Sequence, residues 1–325
     1  MQDSIYIAVD LGGTLVRAAA FEASGLRLVR AQRRTPVAGD ARAMLAAITD
    51  TVREVWVGKP LAVGVGAPGP LDPAQGVIHK APNLPGLQNY PLAAALRREI
   101  DVPVFLGNDA NLAALAEWRF GAGQGYDDLV YLTISTGIGG GVIAGGRLLL
   151  GRDGLAAELG HVSVVQGGPQ CGCGRRGHLE AVAAGPAIAR AARQMLAEGA
   201  ISELGDGVNY ASGALTAEHV GRAAQNGDAL AIRVLQQAGA HIGRALAGFV
   251  HVFNPDIIIL GGGVVGAGEV LLESVRDAFR RNLMAAEYEC PLAPAALGSD
   301  VGLLGALALA LDSTSRPDVS GGRKL

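Results

Sequence analysis

The sequence predicts a duplicated α/β fold with a cleft between its two halves. Each half opens on an apolar strand, a glycine-rich turn and a second strand, and continues through strands alternating with helical segments. A length of 325 residues suits one large or two medium domains with a substantial core. Apolar residues make up 50% and charged residues 18%, the balance of a globular chain rather than a disordered one. Aromatics are only 4%, whereas glycine reaches 48 residues, about twice its usual share of roughly 7%. The core is therefore mostly aliphatic, and the glycines serve tight turns or close backbone approach.

In chain order, strands are expected over Ile5–Val9, Leu15–Phe21 and Leu26–Arg33, a meander whose first turn is Asp10-Leu11-Gly12-Gly13-Thr14. Helical spacing runs over Ala41–Val57, a short buried strand over Leu61–Val65, and a helix over Tyr90–Ile100. The strand Val102–Leu106 leads through Gly107-Asn108-Asp109 into a helix from Ala110 to about Phe120. Gly121–Asp128 breaks the pattern and reads as a boundary. Beyond it, Leu129–Ser135 and Gly141–Ala144 are strands around a second glycine-rich turn, followed by helices over Pro186–Ala197 and Ala229–Val252. Ile257–Leu260 is an aliphatic strand ending at Gly261-Gly262-Gly263, and Glu269–Arg281 is helical. Val301–Leu311 reads as a closing helix that packs back on the first half, giving lobes over 1–120 (completed by 301–311) and 121–300. The polar tail 312–325 is expected to be disordered.

Several function classes fall away. With 27 basic and 30 acidic residues the formal net charge is −3, which gives no basic face for nucleic acid. The start shows no basic and apolar leader pattern, and no apolar run spans a bilayer, so neither export nor membrane insertion is expected. The three cysteines form no paired framework, which favours a reducing cytoplasm. Gly261-x-Gly263-x-x-Gly266 and Gly64-x-Gly66-x-x-Gly69 both satisfy a dinucleotide pattern. The latter runs into Pro70-Leu71-Asp72-Pro73, which cannot begin a helix, and the former lacks a good following strand to present a ribose-binding acid. No P-loop pattern occurs.

The Asp10–Thr14 turn can direct backbone amides at a shared anion, with Gly12 and Gly13 allowing close approach. Asp10 would repel a phosphate unless a divalent cation such as Mg²⁺ lay between them; the plain alternative is an ordinary hairpin. Ser135-Thr136-Gly137 repeats the layout in the second half, so two loops can grip a phosphate chain from both sides. Gly261–Gly263 ends a buried strand, where open α/β sheets bind ligands. No lysine lies in these loops. Asp109 is either a helix N-cap or a carboxylate able to accept a proton from a hydroxyl attacking phosphorus. Glu158 and Glu180, with Asn side chains, suit vicinal hydroxyls, although most glutamates only solvate a surface.

His161, Cys171, Cys173 and His178 supply two imidazoles and two thiolates within eighteen residues, a tetrahedral zinc set with no open position. Unrelated histidines beside free thiols are the alternative. The glycines between the ligands permit the tight chelate turns and favour the metal.

These segments together resemble the ROK sugar kinases of the actin-like ATPase superfamily, and most of all their bacterial glucokinases. The residues that carry the likeness are Ala8–Thr14, Ala67–Asp72, Ala81-Pro82-Asn83-Leu84-Pro85-Gly86, Gly107–Asn111, Ser135–Gly141, Glu158–His161 and Cys171–Glu180. The resemblance implies a two-lobed actin-like ATPase fold, a duplicated ribonuclease H-like unit with an interlobe cleft. It also implies ATP-dependent phosphorylation of a hexose at its 6-hydroxyl, glucose above all. Asp109 would be the base, and Asn83, Asn108, Glu158, His161 and Glu180 would hold the sugar. Asp10, Gly12, Gly13, Thr14, Thr136, Gly137 and Gly261–Gly263 would meet ATP and Mg²⁺. His161 would face zinc with one ring nitrogen and sugar with the other. His178 stands where the family has a third zinc-binding cysteine, so the expected set is Cys₂His₂. Homodimers or homotetramers are expected, without the helix-turn-helix region of ROK repressors because the first strand begins at Ile5. The alternatives are an N-acetylhexosamine or fructose kinase, or a non-catalytic sugar sensor.

Overall fold

A computed structural model describes residues 4–36, 40–81, 83–84, 86–207 and 214–315. The first half holds a sheet of β1 (Ile5–Leu11), β2 (Leu15–Glu22), β3 (Arg27–Arg34), β4 (Ala62–Ala67) and β7 (Val104–Asn108), in the order β3-β2-β1-β4-β7. β1, β4 and β7 are parallel, whereas β2 and β3 return antiparallel. α1 (Ala41–Glu54) precedes β4, a small hairpin β5 (Leu71–Asp72) and β6 (Val77–Ile78) follows it, and α2 (Leu92–Ile100) leads into β7. α3 (Asp109–Phe120) leaves β7 without a loop.

The second sheet has the order β11-β10-β8-β9, with β8 (Leu129–Ile134), β9 (Ile138–Ile143), β10 (Ile257–Gly261) and β11 (Leu292–Pro294). Between β9 and β10 run α4 (Leu179–Ala183), α5 (Gly185–Ala197), α6 (Leu204–Gly207), α7 (Ala217–Gln225) and α8 (Ala229–Phe253). α9 (Glu269–Asn282) and α10 (Val301–Ser315) complete the described chain. No helix among the described residues is long and apolar enough to cross a membrane.

Strand alternation explains the layering, since neighbouring residues point to opposite faces. Ile7, Val9 and Leu11 of β1 pack into one core with α1 and α2, while Tyr6 and Ala8 face the other way. In the second sheet Val130, Leu132 and Ile134 join the core under α4–α8, whereas Leu129 and Tyr131 face the core that Tyr6 and Ala8 enter. That shared core is filled by α3 and α10, which lie between the two sheets. A helix covered on both sides should be apolar all round, as the run Leu303 to Leu311 in α10 is. Glycine lets the layers close: a Cβ at Gly305 would fall 2.6 Å from the carbonyl carbon of Leu112.

Several boundaries differ from those expected. β9 begins at Ile138, not Gly141. Its glycines are packing positions rather than turn positions, since a Cβ at Gly139 would meet Ala110 Cβ at 2.8 Å and one at Gly141 would meet Ala114 Cβ at 2.5 Å. α1 stops at Glu54, capped at Val55. α10 runs to Ser315, four residues into the segment expected to be disordered, because the Thr314 and Ser315 hydroxyls donate back to carbonyls of their own helix. Residues 316–325 of that segment lie outside the described residues.

Two stretches carry the chain between the sheets: 121–128, leading to β8, and 295–300, leading to α10. Glu117 of α3, fully buried, ties them together. Its carboxylate accepts from Ala122 N at 2.9 Å and from Ala296 N and Leu297 N, each at 3.0 Å. A Gln at this position would turn one acceptor into a donor facing backbone N–H groups. Glu117→Gln should therefore cost about 2–4 kcal/mol of stability, read as a lowered urea midpoint; an unchanged midpoint would refute the clamp.

Candidate active site

The site lies where the carboxyl ends of the parallel strands meet, the edge at which α/β sheets present ligand-binding loops. Register fixes the first group: Asp10 of β1 lies beside Gly66 of β4, and Gly66 beside Gly107 of β7. Asn108 and Asp109 then pass straight into α3.

Asn108, not Asp109, is the helix cap. Its Oδ1 accepts from Ala110 N at 3.0 Å and Asn111 N at 3.1 Å, the usual service of an Asn at this position. This orientation leaves the Asn108 amide group as a donor, beside Gly69, where a Cβ would come within 3.1 Å of Nδ2. Asp109 occupies the first helical position and accepts from Ala110 N at 2.8 Å.

Asp109 is open to solvent, yet protein surrounds it closely enough to strip away much of its hydration, the environment at the base of a cleft. That desolvation pushes its carboxyl up to about 6 against the pull of the Ala110 N–H, and the charges of Asp10 and Glu158 add to the rise. The field thus couples three of the expected site carboxylates. Asp10 is 8% exposed and paired with Arg17 across the β1–β2 ladder. Burial raises its pKa although Arg17 opposes the shift. A Cβ at Gly302 of α10 would lie 2.6 Å from Asp10 Oδ2, so the helix can approach the carboxylate only as glycine.

The turn between β1 and β2 is held from within by Gly12 N donating to Leu15 O at 3.0 Å. Thr35, directly after β3, holds it as well: its hydroxyl donates to Gly12 O at 2.6 Å and its amide to Thr14 O at 2.9 Å. Gly13 packs on Asn83, whose Cβ would be 2.9 Å from a Cβ added there.

Across the cleft, β8 and β9 turn through Ser135–Gly137, with Ser135 N donating to Gly137 O at 2.8 Å. Gly262, in the left-handed region with φ 89°, packs on the Ile134 carbonyl, and Gly185 N donates to Ser135 O at 2.8 Å. The Thr136–Gly137 turn and the Gly261–Gly263 strand end therefore form one backbone-lined wall. Gly139 of the same hairpin packs on Ala110, next to Asp109.

Two loops clasp Ile138 at the start of β9. Gly160, in the 3₁₀ turn Leu159–His161, packs on its carbonyl, and Glu180 Oε2 accepts from its amide at 3.1 Å. Glu180 Oε1 also accepts from the Cys171 thiol at 3.4 Å. Glu180 is therefore a structural link as well as a group near the cleft. Ala157, just before Glu158, has φ 66°, a strained conformation for a residue with a Cβ.

His161, Cys171, Cys173 and His178 gather with ligand atoms all within 4.8 Å of one another. Cys171 Sγ lies 3.6 Å from His161 Nδ1 and Cys173 Sγ 3.3 Å from His178 Nδ1. Zinc bonds of about 2.3 Å to sulfur and about 2.0 Å to nitrogen make tetrahedral edges of about 3.5 Å. The donor set fits that metal. His161 turns its other nitrogen, Nε2, towards Glu158 Oε2 at 4.0 Å, so one imidazole joins the cysteine cluster to the cleft. Burial pushes the Cys171 thiol up to about 11, which makes it a protonated donor to Glu180 when no cation is bound.

The expected residues thus fall into two connected groups, one around Asp10, Gly13, Asn83 and Asn108–Asp109, the other around Gly137, Gly262, Glu180 and the cysteine cluster. Arg17, Thr35 and Gly185 were not singled out from the sequence. Thr35-Pro36 directly after a strand was the available signal for the second, because proline confines the preceding residue to extended backbone; nothing local marks the others.

The ROK family model matches residues 6–313. The chain is 40% identical over 310 residues to a glucokinase of Thermotoga maritima, covering 93% of this chain and 96% of that protein. A ROK hexokinase from Thermus thermophilus superposes with a TM-score of 0.82 at 40% identity, covering 96% of this chain and 99% of the other. A ROK family glucokinase from Streptomyces griseus, solved in complex with glucose and AMPPNP, superposes with a TM-score of 0.79 at 37% identity, covering 95% and 100%. Two sheets with α3 and α10 between them are this chain's version of the two-lobed actin-like ATPase fold of those neighbours. By sequence across nearly all its length and by fold, the chain belongs to the ROK family.

Proposed function

We propose that this chain is an ATP-dependent hexose 6-phosphotransferase whose principal substrate is glucose. The observation that carries the reading is Asp109: a carboxylate raised to about 6, within the field of Asp10 and next to Ala110, on which Gly139 of the second glycine-rich hairpin packs. Near-full-length similarity to glucokinases supports the choice of sugar.

In this reading the lobes are residues 1–120, completed by the closing helix 301–311, and 121–300. Sugar hydroxyls meet the Asn108 amide, Asn83, Glu158, His161 and Glu180. Backbone donors of Gly12–Thr14, Thr136–Gly137 and Gly261–Gly263 hold the nucleotide. Asp109 accepts the proton of the 6-hydroxyl as its oxygen bonds to the γ-phosphorus, and the bond to the bridging oxygen breaks with its electron pair leaving on ADP. Lobe closure excludes water, which would otherwise compete as acceptor.

Asp10 is the residue to hold Mg²⁺: Arg17 engages Oδ2, and Oδ1 has no protein donor among the described residues. When bound, that ion offsets charge on the phosphates. His161, Cys171, Cys173 and His178 would hold a structural zinc that fixes the loop bearing Glu158 and Glu180. Free thiols and the absence of a disulfide support a reducing, cytoplasmic setting.

Asp109→Asn should lower kcat about 10²–10⁴-fold while glucose still binds. Wild-type kcat/KM should fall about tenfold per pH unit below about 6, as the base is protonated. Because the raised carboxyl makes the ionised form costly above that pH, the Asn variant should also melt higher at pH 7.5, the gain shrinking as pH falls towards 4. Near-normal turnover in this variant would overturn the assignment.

For the metal, elemental analysis of the purified protein should find about one zinc per chain. Cys173→Ala should lose the zinc and raise the glucose KM more than the ATP KM. Metal-free protein with normal glucose affinity would refute the role.

A further inference from the structure

Among the side chains the reaction does not use, Thr35 has the most specific geometry. It follows β3 directly and is only 4% exposed, although it is polar. It spends both its donors on one short turn: the hydroxyl on Gly12 O at 2.6 Å and the amide on Thr14 O at 2.9 Å. Twenty-three residues separate Thr35 from Gly12, so the contact is not a by-product of local chain geometry.

Its consequence follows from peptide planarity. In a trans peptide the N–H of one residue points opposite to the C=O of the residue before it. Drawing the Gly12 carbonyl towards Thr35 therefore turns the Gly13 N–H away from β3. Neither Gly13 N nor Thr14 N has a protein acceptor among the described residues, although nearly all backbone donors find partners in folded proteins. The turn thus leaves two amides for a ligand while two of its carbonyls, those of Gly12 and Thr14, which would repel an anion, are held back by Thr35. Pro36 confines Thr35 to extended backbone, which limits the ways the brace can slacken.

We propose that Thr35 is a positioning residue for the phosphoryl donor: it orients the Gly12–Thr14 turn so that the Gly13 and Thr14 amides face the phosphates of ATP. The inference rests on the kinase reading above and adds a residue to it. It places Thr35 outside sugar recognition, since both its hydrogen bonds among the described residues go to the turn.

Thr35→Val removes the hydroxyl at nearly constant volume, and Thr35→Ser keeps it. With ADP release measured against each substrate, the valine variant should raise the ATP KM about five- to tenfold, the worth of one hydrogen bond. Its glucose KM should stay within about twofold of wild type, and the serine variant should restore the ATP KM. If valine prevents folding, Thr35→Ala deletes the same hydroxyl and should show the same split. An unchanged ATP KM, an equal rise in both KM values, or failure of serine to restore function would each overturn the proposal. Absence of ADP release by the wild-type protein with ATP and any hexose would instead sink the kinase reading itself.

Discussion

The arrangement depends on one buried carboxylate. Glu117 is enclosed completely, and a charge in that position is tolerable only if every lone pair facing the protein meets a donor. The donors come from both stretches of chain that pass between the sheets, Ala122 on one and Ala296 with Leu297 on the other. Two crossings that are remote in sequence are therefore fixed to the same point on α3. Asp109 lies eight residues back along that helix, about 12 Å at 1.5 Å per residue. The helix that fastens the crossings at its end is the one that carries Asp109 at its start, so the sheets and Asp109 share one rigid reference.

That helix also accounts for much of the glycine excess. Gly139 and Gly141 let β9 lie on Ala110 and Ala114, and Gly305 lets α10 press on Leu112. A side chain at any of these positions would push a layer away and widen the space around Asp109. The chain has few aromatic residues, so its layers close through small residues and aliphatic packing rather than large rings. Glycine thus serves both ligand approach and interlayer packing, two uses that composition alone does not separate.

The fold class was legible because its evidence is local: strand alternation, the repeated strand–turn–strand openings and the apolar closing helix each occupy one stretch of sequence. The errors were also local in origin. Gly139 and Gly140 read as turn because glycine usually marks turns, whereas Gly139 packs on Ala110, in a helix more than twenty residues earlier in the chain. Asp109 carried the N-cap reading because Asn and Asp are equally good caps, and only the structure shows that Asn108 takes the role. The functions of Glu117 and Thr35 were illegible for a different reason. Their partners are backbone groups, which have no sequence signature, and most of them lie far away in the chain. Candidate site residues were recognisable as motifs, but which of their atoms remain available, such as the amide rather than the carbonyl of Asn108, is decided by hydrogen bonds that no motif encodes.

The electrostatics of the cleft follow from the same placement. Asp10 and Glu158 both raise the Asp109 carboxyl, while Arg17 pairs directly with Asp10 across the β1–β2 ladder. A cleft built this way is negative when empty. An anionic nucleotide arriving alone would meet repulsion from Asp10, whereas one carrying a divalent cation would not. A neutral ligand meets no such barrier. A lysine paired with Asp109 would have lowered its pKa. Backbone donors supply the attraction without that cost, which gives a physical reason for the loops to be rich in glycine and free of cationic side chains.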